Sequence, residues 1–250
     1  MRSIHNVDPK GVLHVGAHAA EEAEEYIANE FHKNGKIIWV EAQTELADEL
    51  ARKLDLNFHK VISAAAWDKS NEELEFNITS KDASSSFLPL GKHSEKYPTI
   101  TVDKKVMIKT SRLDSVLSPE DVFDFLVLDI QGAELRAIEG LGSFLNNVKW
   151  IFTEVSKEEL YIGSVLIHDF DNRLNELGFK RVFTEWDRKA GWGDALYARD
   201  ENYNISRTQS FLKTLSVIRR TIRSYTPQWI FPIVIRAKNI FANFTFSKRP

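Results

Sequence analysis

Short apolar runs alternate with amphipathic stretches along the first 200 residues of the chain. Runs rich in Val, Ile and Leu indicate buried strands, and stretches with apolar residues at helical spacing indicate helices. In the first third of the chain this pattern predicts strands at 11–15, 36–40 and 58–62 and helices at 21–34 and 44–56. The resulting β-α-β-α-β order is typical of a parallel sheet with right-handed connections.

The same pattern continues after a polar interruption. It predicts strands at 73–77, 106–109, 125–130, 150–154, 179–183 and 192–198 and helices at 133–145 and 167–177. Residues 79–98 are polar and form a long connection, and connections of this length are usually either functional or disordered. We therefore predict an α/β fold, Rossmann-like, with a mostly parallel central sheet and helices on both faces.

One stretch stands at the centre of this pattern. The buried strand from Phe125 ends in the carboxylate of Asp129, and Gly132 then makes a tight turn into a helix. Ligands of open parallel sheets bind at the carboxyl ends of the strands, which places Asp129 where chemistry is expected. An Asp before a helix also commonly acts as a cap, so the local pattern leaves a functional and a capping role open.

Two further features indicate a nucleoside-bearing cofactor. Gly16 begins a turn of small residues between the first strand and the first helix, where backbone N–H groups can approach a ligand. Glu41 ends the second strand 25 residues later, and a carboxylate at that place can accept hydrogen bonds from a ribose diol.

The sequence favours S-adenosylmethionine over NAD as this cofactor. The Gly-x-Gly-x-x-Gly fingerprint of NAD sites is absent, and the acidic run 21–25 would repel a pyrophosphate. The same acids are compatible with the sulfonium and amino group of S-adenosylmethionine. For Glu22, Glu24 and Glu25 we favour a solvated helix face whose acids suit the helix N-terminus.

The chain resembles the FkbM family of S-adenosylmethionine-dependent methyltransferases. The motifs that carry the resemblance are Val12-Leu-His-Val-Gly16-Ala-His18, Trp39-Val-Glu41-Ala42, Ser63-Ala-Ala-Ala-Trp67, Leu113-Asp114-Ser-Val, Ala83-Ser-Ser-Ser86 with Leu90-Gly-Lys-His93 and Tyr97-Pro98, and Leu126-Val-Leu-Asp129-Ile-Gln-Gly132-Ala-Glu134. They cover roughly residues 10–200 and follow the family's order. The chain departs from the family at His14, Ala20 and Gln131, where members often carry Asp, Gly and Glu.

The resemblance implies a class I methyltransferase fold and a role for each motif. It implies that Gly16, Ala17 and His18 line the methionine end of the cofactor. Glu41, next to Ala42, would hold the ribose. The segment Ser63, Ala64 and Ala65 would lie near the adenine, and Asp129 beside the sulfonium and the incoming nucleophile.

Methyl transfer to a hydroxyl requires a base within hydrogen-bond reach. The candidates are Asp129, His93 and Glu134, with Glu154 at the end of the next strand. Asp129 has the best position, and His93 has the more suitable unperturbed pKa. The alternatives are a surface loop histidine at 93 and a helix N-terminal acid at 134.

The acceptor is expected to meet a second group of polar residues. We predict Ser85, Ser86 and Glu154 as substrate-binding residues, the alternative being that the serines form a flexible turn. Mg²⁺ bound by Asp129, Glu134 and Glu154 is an alternative that we do not favour, and no metal site is predicted.

The predicted function is O-methylation of a sugar hydroxyl in a glycan or glycosylated metabolite, a substrate that rests on resemblance alone. One alternative is a small-molecule O-methyltransferase of secondary metabolism. Another is a non-catalytic nucleoside-binding or scaffold domain, which the departures at His14, Ala20 and Gln131 keep open.

The charge of the chain is divided unevenly. Residues 201–250 carry nine Lys or Arg and one acid, whereas residues 1–200 carry 24 basic and 35 acidic residues. We therefore predict a methyltransferase domain over 1–200 and a basic, amphipathic, helical segment over 201–250. Peripheral contact of 205–250 with an anionic membrane and packing on the acidic domain or a second subunit stay open. No nucleic-acid partner is expected, since the acidic body lacks a basic groove.

The protein is expected in the cytoplasm, either free or bound peripherally at the inner face of a membrane. The chain has no cysteine, which excludes disulfides, thiolate metal sites and cysteine nucleophiles and fits a reducing compartment. Its first eight residues lack the apolar core of a signal peptide, and no run reaches the roughly 18 apolar residues of a membrane span.

Overall fold

A computed structural model describes residues 9–187 and 191–199 of the chain. Its ten strands, in chain order, are β1 Val12–Val15, β2 Ile37–Glu41, β3 His59–Ser63, β4 Ala65–Ala66, β5 Glu73–Thr79, β6 Val102–Ser111, β7 Phe125–Leu128, β8 Trp150–Ser156, β9 Phe179–Trp186 and β10 Trp192–Arg199. Its six α-helices are α1 Ala23–Ala28, α2 Thr44–Lys53, α3 Lys92–Lys96, α4 Leu113–Val116, α5 Glu134–Glu139 and α6 Ile167–Glu176.

Seven strands form the central sheet in the order β3-β2-β1-β7-β8-β10-β9. The first five strands in this order, β3, β2, β1, β7 and β8, pair in parallel with one another. Strand β10 is inserted antiparallel between β8 and β9. This confirms the predicted mostly parallel, Rossmann-like sheet, in which β1 and β7 lie side by side at the point where the strand order reverses.

Helices pack on both faces of the sheet, because successive residues of its strands are apolar. On β1, Val12 faces a layer that contains Tyr26 of α1 and Leu50 of α2. Its neighbour Leu13 faces the opposite layer, which contains residues of α4, α5 and α6. Successive strand residues point to opposite faces, so a continuous apolar run supplies two cores at once.

The polar connection over 79–98 has defined structure. It leaves a second sheet of order β4-β6-β5, passes through a 3₁₀ turn at Asp82–Ser84 and forms α3. Backbone hydrogen bonds tie it to a loop that follows β8, from Gly91 N–H to Leu160 O at 2.7 Å and from Ile162 N–H to Pro89 O at 2.8 Å. Together these two segments, residues 84–97 and 159–164, form what we call the cap.

Two predicted helices are shorter than the pattern indicated. The helix expected over 21–34 ends at Ala28, and Glu30 adopts a positive φ of 61°. The helix expected over 133–145 ends at Glu139, where Gly140 lies so close to Trp67 O that a Cβ would stand 2.2 Å from it. Gly140 keeps a helical φ of −73°, but Gly142 has a φ of +54°. Left-handed residues such as Glu30 and Gly142 end helices despite a continuing apolar pattern, because helical φ values are lost there.

No helix within the described residues is long and apolar enough to cross a bilayer. The predicted segment 201–250 lies outside the described residues, so its helical character and its membrane or subunit contacts stay predictions.

Candidate active site

The turn after β1 packs directly on the turn after β7. Gly16 has a φ of +89°, and a Cβ at this position would stand 1.9 Å from the carbonyl oxygen of Asp129. The amide of Asp129 donates to Val15 O at 3.0 Å. Only glycine permits this approach of two backbones, which brings the predicted cofactor turn and Asp129 to one place.

Glu41 is held by backbone donors at the end of β2. Its Oε2 accepts a hydrogen bond of 2.9 Å from His18 N–H, and its Oε1 accepts one of 2.9 Å from Gln43 N–H. Burial raises the pKa of Glu41, and these hydrogen bonds oppose that rise. Each carboxylate oxygen can accept a further bond, so Glu41 retains capacity for a ligand hydroxyl.

A cleft of about 660 Å³ opens above these two turns. Of the residues predicted for the cofactor, Gly16, His18, Glu41, Ala42, Ala64 and Asp129 line the cleft. The other three are absent from its lining: Ala17 and Ala65 are buried, and the hydroxyl of Ser63 donates to Thr44 Oγ1 at 3.1 Å. Ala66 lines the cleft beside Ala64, because alternate residues of a strand share a face.

The acidic run 21–25, at the start of α1, is partly buried and partly exposed to solvent. Glu21 pairs with His18, its Oε1 lying 2.8 Å from His18 Nδ1. Glu24 is exposed, as expected, but Glu22 is buried, with only 5% of its surface accessible. The prediction of a solvated face is therefore wrong for Glu22, whose pKa burial raises to about 8.

Asp129 stands at the mouth of the cleft. Its side chain is open to the cleft, while its Oδ1 accepts a hydrogen bond of 2.6 Å from Gln131 Nε2. The surrounding protein limits solvation of the carboxylate and raises its pKa, and the charge of Glu21 adds to that rise. Among the described residues, the side-chain oxygens of Asp129 accept no hydrogen bond from the N–H groups that open α5, so the capping interpretation is not supported.

The turn between Asp129 and α5 separates the cleft from a small second cavity. Glu134 lines this cavity and accepts hydrogen bonds through Oε1 from Gly132 N–H at 3.0 Å and from Ile130 N–H at 3.3 Å. Burial raises its pKa to about 7. Glu134 therefore binds the N–H groups of the turn that precedes α5, which agrees with its interpretation as a helix N-terminal acid. These two bonds use only Oε1.

Glu154 lines the same cavity from β8. Burial raises its pKa well above the ordinary value, and the charges of Asp129 and Glu134 raise it further. Carboxyl groups in such surroundings are often protonated at neutral pH and can then donate as well as accept hydrogen bonds.

His93 does not line either cavity. It lies buried in α3, with its ring 5.2 Å from that of Tyr161, so the expectation of a surface loop histidine is wrong. Burial, and then the charge of Lys81, lower its pKa to about 4. A neutral ring behind Tyr161 is a poor candidate for a base that touches the acceptor, and the base role of His93 stays a prediction without geometric support.

The serines of the polar connection are buried rather than flexible. Ser85 lines the cleft, and its Oγ accepts a hydrogen bond of 3.1 Å from Thr79 N–H. Ser86 donates to the carbonyl oxygen of Gln131 at 2.8 Å. Ser85 therefore lies where a ligand can reach it, whereas Ser86 supports the turn after β7.

The three carboxylates of the Mg²⁺ alternative are not grouped as metal ligands. No set of three His, Asp or Glu side chains close enough to bind a metal ion occurs in the part of the chain that the structure describes. Asp129 and Glu134 instead use their oxygens for the hydrogen bonds described above.

Several site residues escaped the sequence patterns. Phe76 lines the cleft from β5, and Phe87 lines it from the polar connection. Gln131 contacts Asp129 directly, and Tyr161 contacts Gln131. Aromatic residues in a polar segment were the one available signal for Phe87. The others depend on which segments meet in space, and a sequence alone does not give that.

Comparison with known proteins agrees with this geometry. The model of the methyltransferase FkbM domain matches residues 14–181, more than half of the chain. The chain therefore belongs to the FkbM methyltransferase family.

One relative is the 2-O-methyltransferase NoeI of Sinorhizobium fredii (strain NBRC 101917 / NGR234). It is 33% identical over 86 residues, which are 34% of this chain and 35% of NoeI. The match thus spans about a third of that relative.

Solved structures of methyltransferases are similar at low identity. The ribosomal protein L11 methylase of Lactobacillus delbrueckii subsp. bulgaricus has a TM-score of 0.41 and 16% identity, with 76% of this chain and 69% of that chain covered. A SAM-dependent methyltransferase of Aquifex aeolicus has a TM-score of 0.41 and 13% identity, with 76% and 81% covered.

Proposed function

We propose that this methyltransferase methylates a hydroxyl group of a sugar-containing acceptor. The observation that carries the proposal is the turn at 129–134, which lines both cavities. Asp129, Ile130, Gln131 and Ala133 line the larger cleft, and Gly132 and Glu134 line the second cavity. A donor in one cavity and an acceptor in the other would thus meet beside Asp129.

The lining of the larger cleft fits S-adenosylmethionine. Glu41, held by two backbone N–H groups, would hold the ribose diol. Apolar side chains from four segments, among them Ala64, Phe76 and Phe87, would surround the adenine. The carboxylate of Asp129 lines the cleft and that of Glu21 lies behind His18, and both suit the positive charges of the amino group and the sulfonium.

Asp129 is the group we assign as the base. When bound, S-adenosylmethionine supplies an electrophilic methyl group on a cationic sulfur, which becomes a neutral thioether as the methyl leaves. A hydroxyl acceptor must lose its proton as its oxygen forms the new bond to carbon, and Asp129 Oδ2 would take that proton. The raised pKa of Asp129 brings this carboxylate closer to the range in which a base is effective.

The second cavity supports a polyhydroxylated acceptor. Its polar lining includes Glu134, Glu154, Ser156 and Ser164, while Leu135, Val155 and Phe170 supply apolar surface. The Oγ of Ser164 is buried and has no hydrogen-bond partner among the described residues, so it is available to a ligand. Sugars offer both hydroxyls and apolar ring faces. The relative NoeI, named a 2-O-methyltransferase, is consistent with a hydroxyl as the acceptor group.

The test uses the full chain, S-adenosylmethionine with a tritiated methyl group, and two sets of acceptors. One set contains mono- and oligosaccharides with free hydroxyls, and the other contains catechols and phenols. We expect label in the saccharides, with methyl ether signals in the NMR spectrum of the product. Label in the phenols alone would favour the small-molecule alternative. Failure to bind S-adenosylhomocysteine in calorimetry would contradict both enzymatic functions.

A further inference from the structure

Gln131 adopts a backbone conformation that glutamine rarely adopts. Its φ is +55°, in the left-handed region, and it is followed by Gly132 with a φ of +99°. A residue with a Cβ is strained in this region, and such strain persists where neighbouring contacts enforce it. The contact that holds the backbone comes from the cap, because Ser86 Oγ donates to the carbonyl oxygen of Gln131 at 2.8 Å.

The side chain of Gln131 connects Asp129 to the cap. Gln131 Nε2 donates to Asp129 Oδ1 at 2.6 Å, and the hydroxyl of Tyr161 donates to Gln131 Oε1 at 2.6 Å. An ionised carboxylate only accepts hydrogen bonds, so the NH₂ group must face Asp129 and the amide oxygen must face Tyr161. Tyr161 has only 2% of its surface exposed, which fixes its hydroxyl in place.

This chain of bonds makes the two oxygens of Asp129 different. Oδ1 is occupied by the amide, whereas Oδ2 has no hydrogen-bond partner among the described residues. We propose that Gln131 is a positioning residue for methyl transfer, which holds Oδ1 of Asp129 so that Oδ2 alone is free to accept the proton, and that Tyr161 sets the orientation of its amide. This proposal rests on the proposed role of Asp129 as the base.

Charged groups from every neighbouring element face Asp129. The acids are Glu21 and Glu22 beside α1, Glu134 of α5 and Glu154 of β8, and the basic groups are His18 and Lys81. The surrounding protein limits solvation of the Asp129 carboxylate and raises its pKa, and among the influences that lower this pKa the hydrogen bond from Gln131 is the largest. The amide thus favours the ionised form of the base at a place where the surrounding acids oppose it.

The experiment titrates Asp129 directly. The full chain is labelled with ¹³C at the side-chain carboxyl of aspartate, and the Asp129 resonance is assigned by its loss in Asp129→Asn. In Gln131→Met, which has similar length but no donor, we expect the pKa of Asp129 to rise by about one unit or more. In Tyr161→Phe the amide can turn, and we expect a smaller rise in the same direction.

Tyr197→Phe is the matched control. It also removes the hydroxyl of a buried tyrosine, which bonds Asp171 Oδ1 at 2.8 Å, away from Asp129. We expect no change in the Asp129 titration in this variant. A pKa that stays within about 0.2 unit of the native value in both Gln131→Met and Tyr161→Phe would overturn the proposal.

Steady-state kinetics, with the acceptor that the labelling test identifies, provide a second measurement. We expect kcat in Gln131→Met to fall about tenfold or more and its acid limb to move to higher pH, while the Kd of S-adenosylhomocysteine changes less than about twofold. Equal loss of cofactor binding would indicate a structural role and contradict positioning. If the native chain methylates nothing and binds no cofactor, the proposed function fails, whereas the titration still reports on Gln131 by itself.

Discussion

The backbone N–H of His18 donates a hydrogen bond of 2.9 Å to the Oε2 of Glu41. This bond ties the turn after β1 to the end of β2, the two segments predicted to bind opposite parts of the cofactor. Glu41 thereby serves the fold and the ligand with the same carboxylate, and its substitution is expected to affect both.

We predict that Glu41→Gln weakens cofactor binding and lowers stability. Both oxygens of Glu41 accept N–H groups, so the NH₂ group of glutamine must face one of these donors and leave it unpaired. The cost is about 1–3 kcal/mol in stability, with a rise of about tenfold or more in the Kd of S-adenosylhomocysteine. Calorimetry and urea unfolding measure the two effects. Glu49→Gln, on the exposed face of α2, is the control, and equal behaviour of both variants would contradict the assignment.

We predict that Asp129→Asn abolishes most methyl transfer without loss of the cofactor. Asparagine keeps the size of the side chain and the acceptor for Gln131 Nε2 but cannot take a proton. Loss of a general base lowers kcat by about 10²–10⁴. In the native chain activity should rise with pH through the pKa of Asp129, since the ionised form is the base. Unchanged turnover in the variant, with S-adenosylhomocysteine still bound, would remove Asp129 from the mechanism.

We predict that Gly16→Ala destabilises the protein more than Gly163→Ala. Both glycines have a positive φ, +89° and +86°, but a Cβ on Gly16 would stand 1.9 Å from Asp129 O, whereas a Cβ on Gly163 meets nothing within 4 Å. Gly163→Ala should therefore cost only the backbone strain, about 1–2 kcal/mol. Gly16→Ala should cost more than this and also reduce cofactor affinity, as urea unfolding and calorimetry would show. Equal free energies of unfolding would contradict the close approach of the two turns.

We predict that Glu22→Gln stabilises the protein at alkaline pH. Burial raises the pKa of Glu22 from 4.5 to about 8, so the folded state binds a proton that the unfolded state has lost in this range. The native chain therefore loses stability as pH rises from 4.5 to about 8. The advantage of Glu22→Gln should be absent below pH 4.5 and reach on the order of 2–4 kcal/mol above pH 8. Urea unfolding at several pH values measures it, and the exposed neighbour Glu24→Gln should show no such dependence.

The sequence predicted the sheet well, and it placed Gly16, Glu41 and Asp129 at one edge of that sheet. Alternating apolar runs and helical spacing are properties of local chain geometry, so every strand of the central sheet was predicted within a few residues. Gly16, Glu41 and Asp129 follow strands directly, and the carboxyl ends of parallel strands meet at one edge. Their common location could therefore be derived from spacing.

The residues that the sequence misplaced depend on long-range contacts. Glu22 was expected on a solvated face because acids usually are, but it is the residue that precedes α1 and it is buried next to Ala23. The alternative to a base role for His93 was a surface loop histidine, but the backbone bonds between the polar connection and the loop after β8 bury His93. No local pattern reports that two segments about 70 residues apart lie against each other.

Because β10 runs antiparallel to β8, the described chain ends on the side of the sheet opposite the cleft. Trp192 pairs with Ser156 near the cleft side of the sheet, whereas Ala198 pairs with Trp150 at the opposite edge. Arg199 is anchored there by bonds to the carbonyl oxygens of Val148 and Leu145. At about 3.3 Å per residue, the strand carries the chain roughly 23 Å away from the catalytic edge. The described chain thus ends, at Arg199, on the side of the sheet away from the cleft.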